Sequence, residues 1–268
     1  MKIIPATIKI MLILLSSGLG LTACHLVSSS PEKDPEKAVV VRTQLAAEYI
    51  RRGDWDTAKH TLDAALNINP NDATANMMMG VLLQQEGSQS NLEQADQYFK
   101  RAIEIAPNDA QIRNNYGTYL YQMQHYNEAI KQLTRASTTL GYQRRYQALE
   151  NLGRIYLKLG HLQSAEESFK QALRIHQNAT ISMLELAEIF YLQQNNSNAS
   201  RFYQQYVESV GQYQQGARAL WIGLRIARAN ADSLKMRAFS QQLHDLFPNS
   251  PEYQRYLQVQ HQTDAVWE

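Results

Sequence analysis

The residues able to do covalent chemistry in this chain are few, and one of them stands alone. Cys24 is the single thiol in 268 residues, so neither a disulfide nor a thiolate zinc site can form within the chain. The seven histidines are scattered and no two make an H-x-x-x-H pair. There is no P-loop, no G-x-S-x-G elbow and no dinucleotide fingerprint, since Gly18 and Gly20 lie in a targeting segment. Glu166 and Glu167 fall on the polar face of a helical pattern, where water is expected to solvate them. These residues build no catalytic or metal site, so the sequence predicts a protein that is not an enzyme. What remains is recognition through hydrogen bonds. Asn115 and Asn151 share one phase of the sequence pattern, Thr118 and Arg154 follow one turn on, and Gln122 and Lys158 come next. Asparagine carries a donor pair and an acceptor, which suits it to hold the main chain of an extended peptide. These six residues are the candidate partner-binding groove.

The surroundings of Cys24 decide its chemistry. Lys2 and Lys9 give a positive start, and Ile10–Leu21 is apolar apart from small polar residues and glycines. At about 12 residues this run is too short to span a bilayer, which needs about 20. A signal peptide over residues 1–23 is expected. Leu21-Thr22-Ala23-Cys24 resembles the bacterial lipobox, in which cleavage precedes the cysteine and its sulfur carries diacylglycerol. A lone thiol in an oxidising compartment is a liability that lipidation removes, and several acyl chains make a stable anchor. His25 stands where aspartate would resemble an inner-membrane retention signal. By that resemblance the anchor sits at the periplasmic face of the outer membrane. No cofactor is expected beyond the lipid on Cys24. Residues 24–37 are rich in serine, proline and mixed charge, and read as a lipidated flexible tether.

The elements that position the groove repeat along the chain. From Tyr146 to Gln177, Leu149, Leu152 and Tyr156 fall on one helical face beside Gly153, and Ala165, Phe169 and Ala172 fall on the face of a second helix. Gly160 and His161 break the run between them. The glycine lets the helices approach, and the ring fills the space left by small residues. Copies precede and follow: Leu45, Ala46, Tyr49, Ala58, Leu62 and Ala65; Met79, Gly80, Leu83, Ala95, Phe99 and Ala102; Tyr116, Gly117, Leu120, Ala129, Leu133 and Ala136. A fifth has Leu186, Ala187, Phe190, Ala199 and Tyr203, with Tyr206 in place of the last small residue. A sixth, weaker copy has Ile222, Gly223, Ile226 and Phe239.

These spacings resemble the tetratricopeptide repeat (TPR), with its period of about 34 residues. The resemblance implies an all-α, right-handed superhelical solenoid of about six helix-turn-helix TPR repeats with a C-terminal capping helix. The repeats are placed near 39–72, 73–109, 110–143, 146–179, 180–213 and 216–249, with the cap at 251–262, inside a domain of residues 38–268. Glu86–Asn91 reads as an insertion forming a surface loop, and Gly141 as a left-handed helix stop. In the sixth repeat Lys235 takes the place of a small residue, and a one-residue slip would align Ala238. Tyr253, Tyr256 and Leu257 are expected to lay the cap on the stack.

Composition narrows the partners. With 44% hydrophobic and 19% charged residues, and 26 Lys and Arg against 25 Asp and Glu, the net charge is +1. That balance offers no basic face for nucleic acid, and no small-molecule substrate is indicated. Two local sequences, Asn114–Leu120 with His125–Ala129 and Leu140–Tyr142 with Arg144 and Glu150–Gly153, are similar to the type IV pilus biogenesis lipoproteins of the PilF/PilW pilotin family. The resemblance implies an outer-membrane lipoprotein that helps the pilus secretin subunit reach, insert and multimerise in the outer membrane. The same anchor and groove also suit a periplasmic adaptor lipoprotein that scaffolds cell-wall enzymes.

Overall fold

The computed structural model describes residues 34–262 and residue 267. The signal peptide, Cys24 and most of the expected tether therefore lie outside the described residues. Beyond Asp34 the chain is one unit, Pro35–Glu268. Its described residues form thirteen helices: α1 (Pro35–Arg52), α2 (Trp55–Ile68), α3 (Ala73–Glu86), α4 (Gln89–Ile105), α5 (Ala110–Gln122), α6 (Tyr126–Thr138), α7 (Arg145–Lys158), α8 (Leu162–Ile175), α9 (Thr180–Leu192), α10 (Asn196–Val210), α11 (Ala217–Ala229), α12 (Ser233–Leu246) and α13 (Pro251–Val259). Consecutive helices pair from α1–α2 to α11–α12, each pair stacks on the next, and α13 packs on α11 and α12. The result is an all-α TPR solenoid of six pairs and a cap. Helix α1 begins at Pro35, so the last residues of the expected tether are already helical.

The close approach within each pair is the one anticipated. Ala165, Phe169 and Ala172 are fully buried, as are Ala58, Leu62 and Ala65, Ala95, Phe99 and Ala102, and Ala129, Leu133 and Ala136. A Cβ placed on Gly153 would come within 2.5 Å of the Phe169 ring, and one on Gly117 within 2.6 Å of Leu133. No real side chain tolerates such contacts. The glycine is needed for space rather than for backbone freedom.

Local signals account for the ends of the helices. Asp72 accepts from the Ala75 N–H at 2.7 Å, and Asp109 from Gln111 and Ile112 at 2.8 and 3.0 Å, which satisfies donors the helix cannot. The turn inside each pair holds one residue in the left-handed region: Gly53, Gly87, Gln124, Gly160, Gln194 and Ala231. Glycine fills three of these six turns at no steric cost, whereas the other three carry a side chain there.

Several expectations are corrected. Leu45 is 44% exposed, because the inward face of α1 is set by Val39, Thr43, Ala46 and Ile50. Glu86–Asn91 is not a loop: only Gly87 and Ser88 separate α3 from α4, and the extra residues lengthen α4 to 17 residues. Leu257 faces outward at 40% exposure, and Val259 joins Tyr253 and Tyr256 against the stack instead. In the sixth pair Ala238 is exposed, and Gly223 lies against Tyr203 of α10 rather than a ring of α12. The fifth pair's ring has replaced the sixth pair's own. Gly141 does adopt the left-handed conformation at φ 85°, just after α6.

The left-handed turn carries a prediction. Ala231 (φ 54°) has an unbranched side chain in a conformation that costs L residues about 1–2 kcal/mol. Ala231→Gly should stabilise the protein by about 0.5–1 kcal/mol, part of the gain being lost to the freer unfolded chain. Urea unfolding at constant slope is the measurement, and a loss of stability contradicts the assignment.

Candidate partner-binding groove

The first helix of each pair lines one side of the stack, with α3 touching α5, α5 touching α7 and α9 touching α11. This brings the expected groove residues together, but not as free side chains. Asn115 donates to the Met77 sulfur of α3 at 3.1 Å. Asn151 donates to Thr118 Oγ1 at 3.1 Å and to Asn114 Oδ1 at 3.4 Å, both on α5. Gln122 accepts from Gln84 of α3 at 2.9 Å. Each amide reaches back one repeat, so the row is a seam between neighbouring helices. Both asparagines are half-buried rather than standing free in a groove. Their Oδ1 atoms have no partner among the described residues and remain available as acceptors. Arg154 is half-buried and Lys158 exposed, so α7 adds two positive charges beside that seam.

Sequence reasoning passed over Glu150, which has the same phase as Asn114, each three residues before its glycine. Glu150 is 4% exposed, and its Oε1 accepts from the Ser182 N–H at 3.2 Å and the Ser182 hydroxyl at 3.0 Å. Ala179 offers α9 no side-chain cap, so the cap is supplied by the preceding repeat. Burial pushes the Glu150 carboxyl above the usual carboxylate range, and this outweighs the Ser182 bonds and the charges of Arg154 and His176.

Further along, Glu185 occupies the phase of Asn115 and Asn151 and is 5% exposed. It accepts from both terminal nitrogens of Arg218 on α11, at 2.7 and 2.8 Å. Glu188 takes up Arg218 and Arg225 together. Burial pushes Glu188 up, but the two guanidinium groups outweigh it and hold its carboxyl below the usual range. The bidentate bond to Glu185 raises Arg218 further, against its burial. Ion pairs thus close the row at α9–α11, and its open polar stretch lies on α5 and α7. Glu166, expected to be solvated, binds Lys170 and Gln193 of the next repeat, whereas Glu167 is exposed. Among the described residues no group of His, Cys, Asp and Glu is placed to hold a metal, and no helix is long and apolar enough to cross a membrane.

Glu150 should show in the pH dependence of stability. Its folded pKa lies above the unfolded one, so the folded state binds the extra proton and stability falls as pH rises through that interval. Glu150→Gln keeps an acceptor for Ser182 but cannot ionise. Between pH 5 and pH 8 the wild type should lose more melting temperature than E150Q. Parallel curves would show that the carboxyl titrates normally.

Comparison with known proteins agrees with this architecture. Tetratricopeptide repeat models match residues 110–178, and residues 43–110 and 150–217. The type IV pilus assembly protein PilF of Pseudomonas aeruginosa is 31% identical over 242 residues, which cover 89% of this chain and 94% of that one. The solved structure of P. aeruginosa PilF superposes with a TM-score of 0.78 at 31% identity, covering 84% of this chain and 99% of that one. PilW, described as a widely conserved type IV pilus biogenesis factor, gives 0.73 at 27% identity, covering 82% and 99%. With that likeness running nearly end to end, the chain belongs to the PilF family of tetratricopeptide-repeat proteins of type IV pilus biogenesis.

Proposed function

We propose that this protein is a pilotin: a lipoprotein anchored through Cys24 to the outer membrane, where it binds the type IV pilus secretin subunit and promotes its multimerisation. The observation that carries this reading is the identity with PilF across nearly the whole chain, since shared repeats alone would match only part of it. The lipobox-like Leu21–Cys24 supports the anchor, and the α5–α7 row supports binding by a surface rather than catalysis. A tethered surface raises the local concentration of captured subunits where they must assemble, and no chemistry is required. The protein acts as a scaffold, not an enzyme.

Two outcomes are expected. Cys24→Ala should leave the protein as uncleaved precursor at the inner membrane, read by membrane fractionation, and normal outer-membrane recovery would refute the anchor. Arg154→Ala with Lys158→Ala changes two side chains with surface exposure, so folding should shift by no more than about 0.5 kcal/mol per site. Secretin multimers, read on a non-dissociating gel, should fall while the lipoprotein's own level holds. Unchanged multimers would move the partner off this face. Unchanged multimers after deletion of the whole protein would remove the pilotin reading.

A further inference from the structure

Beyond the α5–α7 row, one residue outside every helix is buried as deeply as the core. Trp267 is 2% exposed. Its N–H donates to the Tyr191 hydroxyl of α9 at 2.8 Å, and its carbonyl accepts from Arg225 of α11 at 3.2 Å. Its indole stacks on Trp221 with centres 6.0 Å apart and planes 9° apart, while the Arg228 guanidinium lies 4.3 Å from the ring centre. Leu220, Leu224 and Leu243 complete the apolar floor.

Both main-chain groups of a single residue are therefore read by side chains, and its ring enters an aromatic and cationic pocket. This division of labour is that of peptide recognition, with backbone bonds giving affinity and the pocket giving selectivity. Arg225 divides its two ends: Glu188 pairs its charge through one terminal nitrogen, and the other is left to hold a peptide carbonyl. The fit is also incomplete. Arg225 Nε, Trp221 Nε1 and Trp267 Nε1 are buried without an acceptor among the described residues. A ligand bringing an acceptor next to its ring would satisfy donors that Trp267 leaves unpaired.

We propose that Tyr191, Trp221, Arg225 and Arg228 form a second recognition site, for an extended partner segment that carries an aromatic side chain beside a hydrogen-bond acceptor. The chain's own Trp267 occupies this site as an exchangeable internal ligand, and a partner segment displaces it. The site is separate from the α5–α7 row and does not depend on what binds there.

The test uses the full chain and a fluorescently labelled peptide with the sequence of residues 260–268. Trp267→Ala empties the pocket, so by fluorescence anisotropy the variant should bind this peptide at least tenfold more tightly than the wild type. A peptide with alanine in place of the tryptophan should bind neither protein. Adding Tyr191→Phe, which removes one hydroxyl and keeps the ring, should weaken binding to W267A about threefold or more. A W267A protein with native circular dichroism that fails to bind the peptide overturns the proposal, as does equal binding of the alanine peptide. Should W267A not fold, Trp267→Phe keeps a ring in the cluster, and the same gain over wild type is required of it. Dimers of the full chain formed by exchange of the Trp267 segment, seen by light scattering, would overturn the partner in favour of self-association.

Discussion

The constraint on which the structure depends is the distance between the two helices of a pair. Gly153 and Phe169 define it: the ring occupies the space where a Cβ would sit, and the flanking Ala165 and Ala172 bring the backbones together. Gly80 with Phe99 and Gly117 with Leu133 repeat the arrangement, a leucine taking the place of the ring in the third pair. A pair packed this way still exposes apolar surface at both ends, so it is stable only when stacked. The stacking of the pairs follows, and so does the row of side chains that runs across their first helices.

That row shows how a repeat protein divides one set of positions between structure and recognition. At a single phase the side chain is Asn115, then Asn151, then Glu185. The asparagines tie α5 to α3 and α7 to α5, while Glu185 takes a bidentate bond from Arg218. Neighbouring repeats are therefore joined by polar bonds on this side and by apolar packing beneath. Of the ion pairs among Glu185, Glu188, Arg218 and Arg225, the groups removed from water are Glu185 and Arg225, so deleting the partner of either would leave an uncompensated buried charge, whereas Arg218 reaches solvent. These ion pairs hold the last two pairs of helices in a fixed relation, on which the seat for Trp267 is built.

The sixth pair departs from the pattern for a related reason. Its glycine meets Tyr203 of the preceding pair, so α12 is left to pack with Leu243 and with the edge of Phe239, which meets Tyr203 at 89°. The outer face of this pair is covered by α13 and Trp267. The terminal unit is shaped by what it must cover rather than by the repeat rule.

The sequence by itself determined the class of fold, the number of pairs and the identity of the central core residues, because small–large–small spacing at helical phase leaves few ways to bury an apolar face. It also placed Asn115, Thr118, Gln122, Asn151, Arg154 and Lys158 on one row, since residues at equal phase in stacked helices must align. Contacts between repeats were not legible, because they depend on the offset of one pair against the next, which no local pattern encodes. Only the tertiary structure decided that Asn151 bonds to Thr118, that Glu150 caps a helix 32 residues on, and that Arg225 and Tyr191 meet the backbone of Trp267. Leu45 and Leu257 point the same way. Each sits in an amphipathic stretch of an end helix, but the helices it packs on decide which apolar positions turn inward: Val39, Ala46 and Ile50 in α1, and Tyr253, Tyr256 and Val259 in α13.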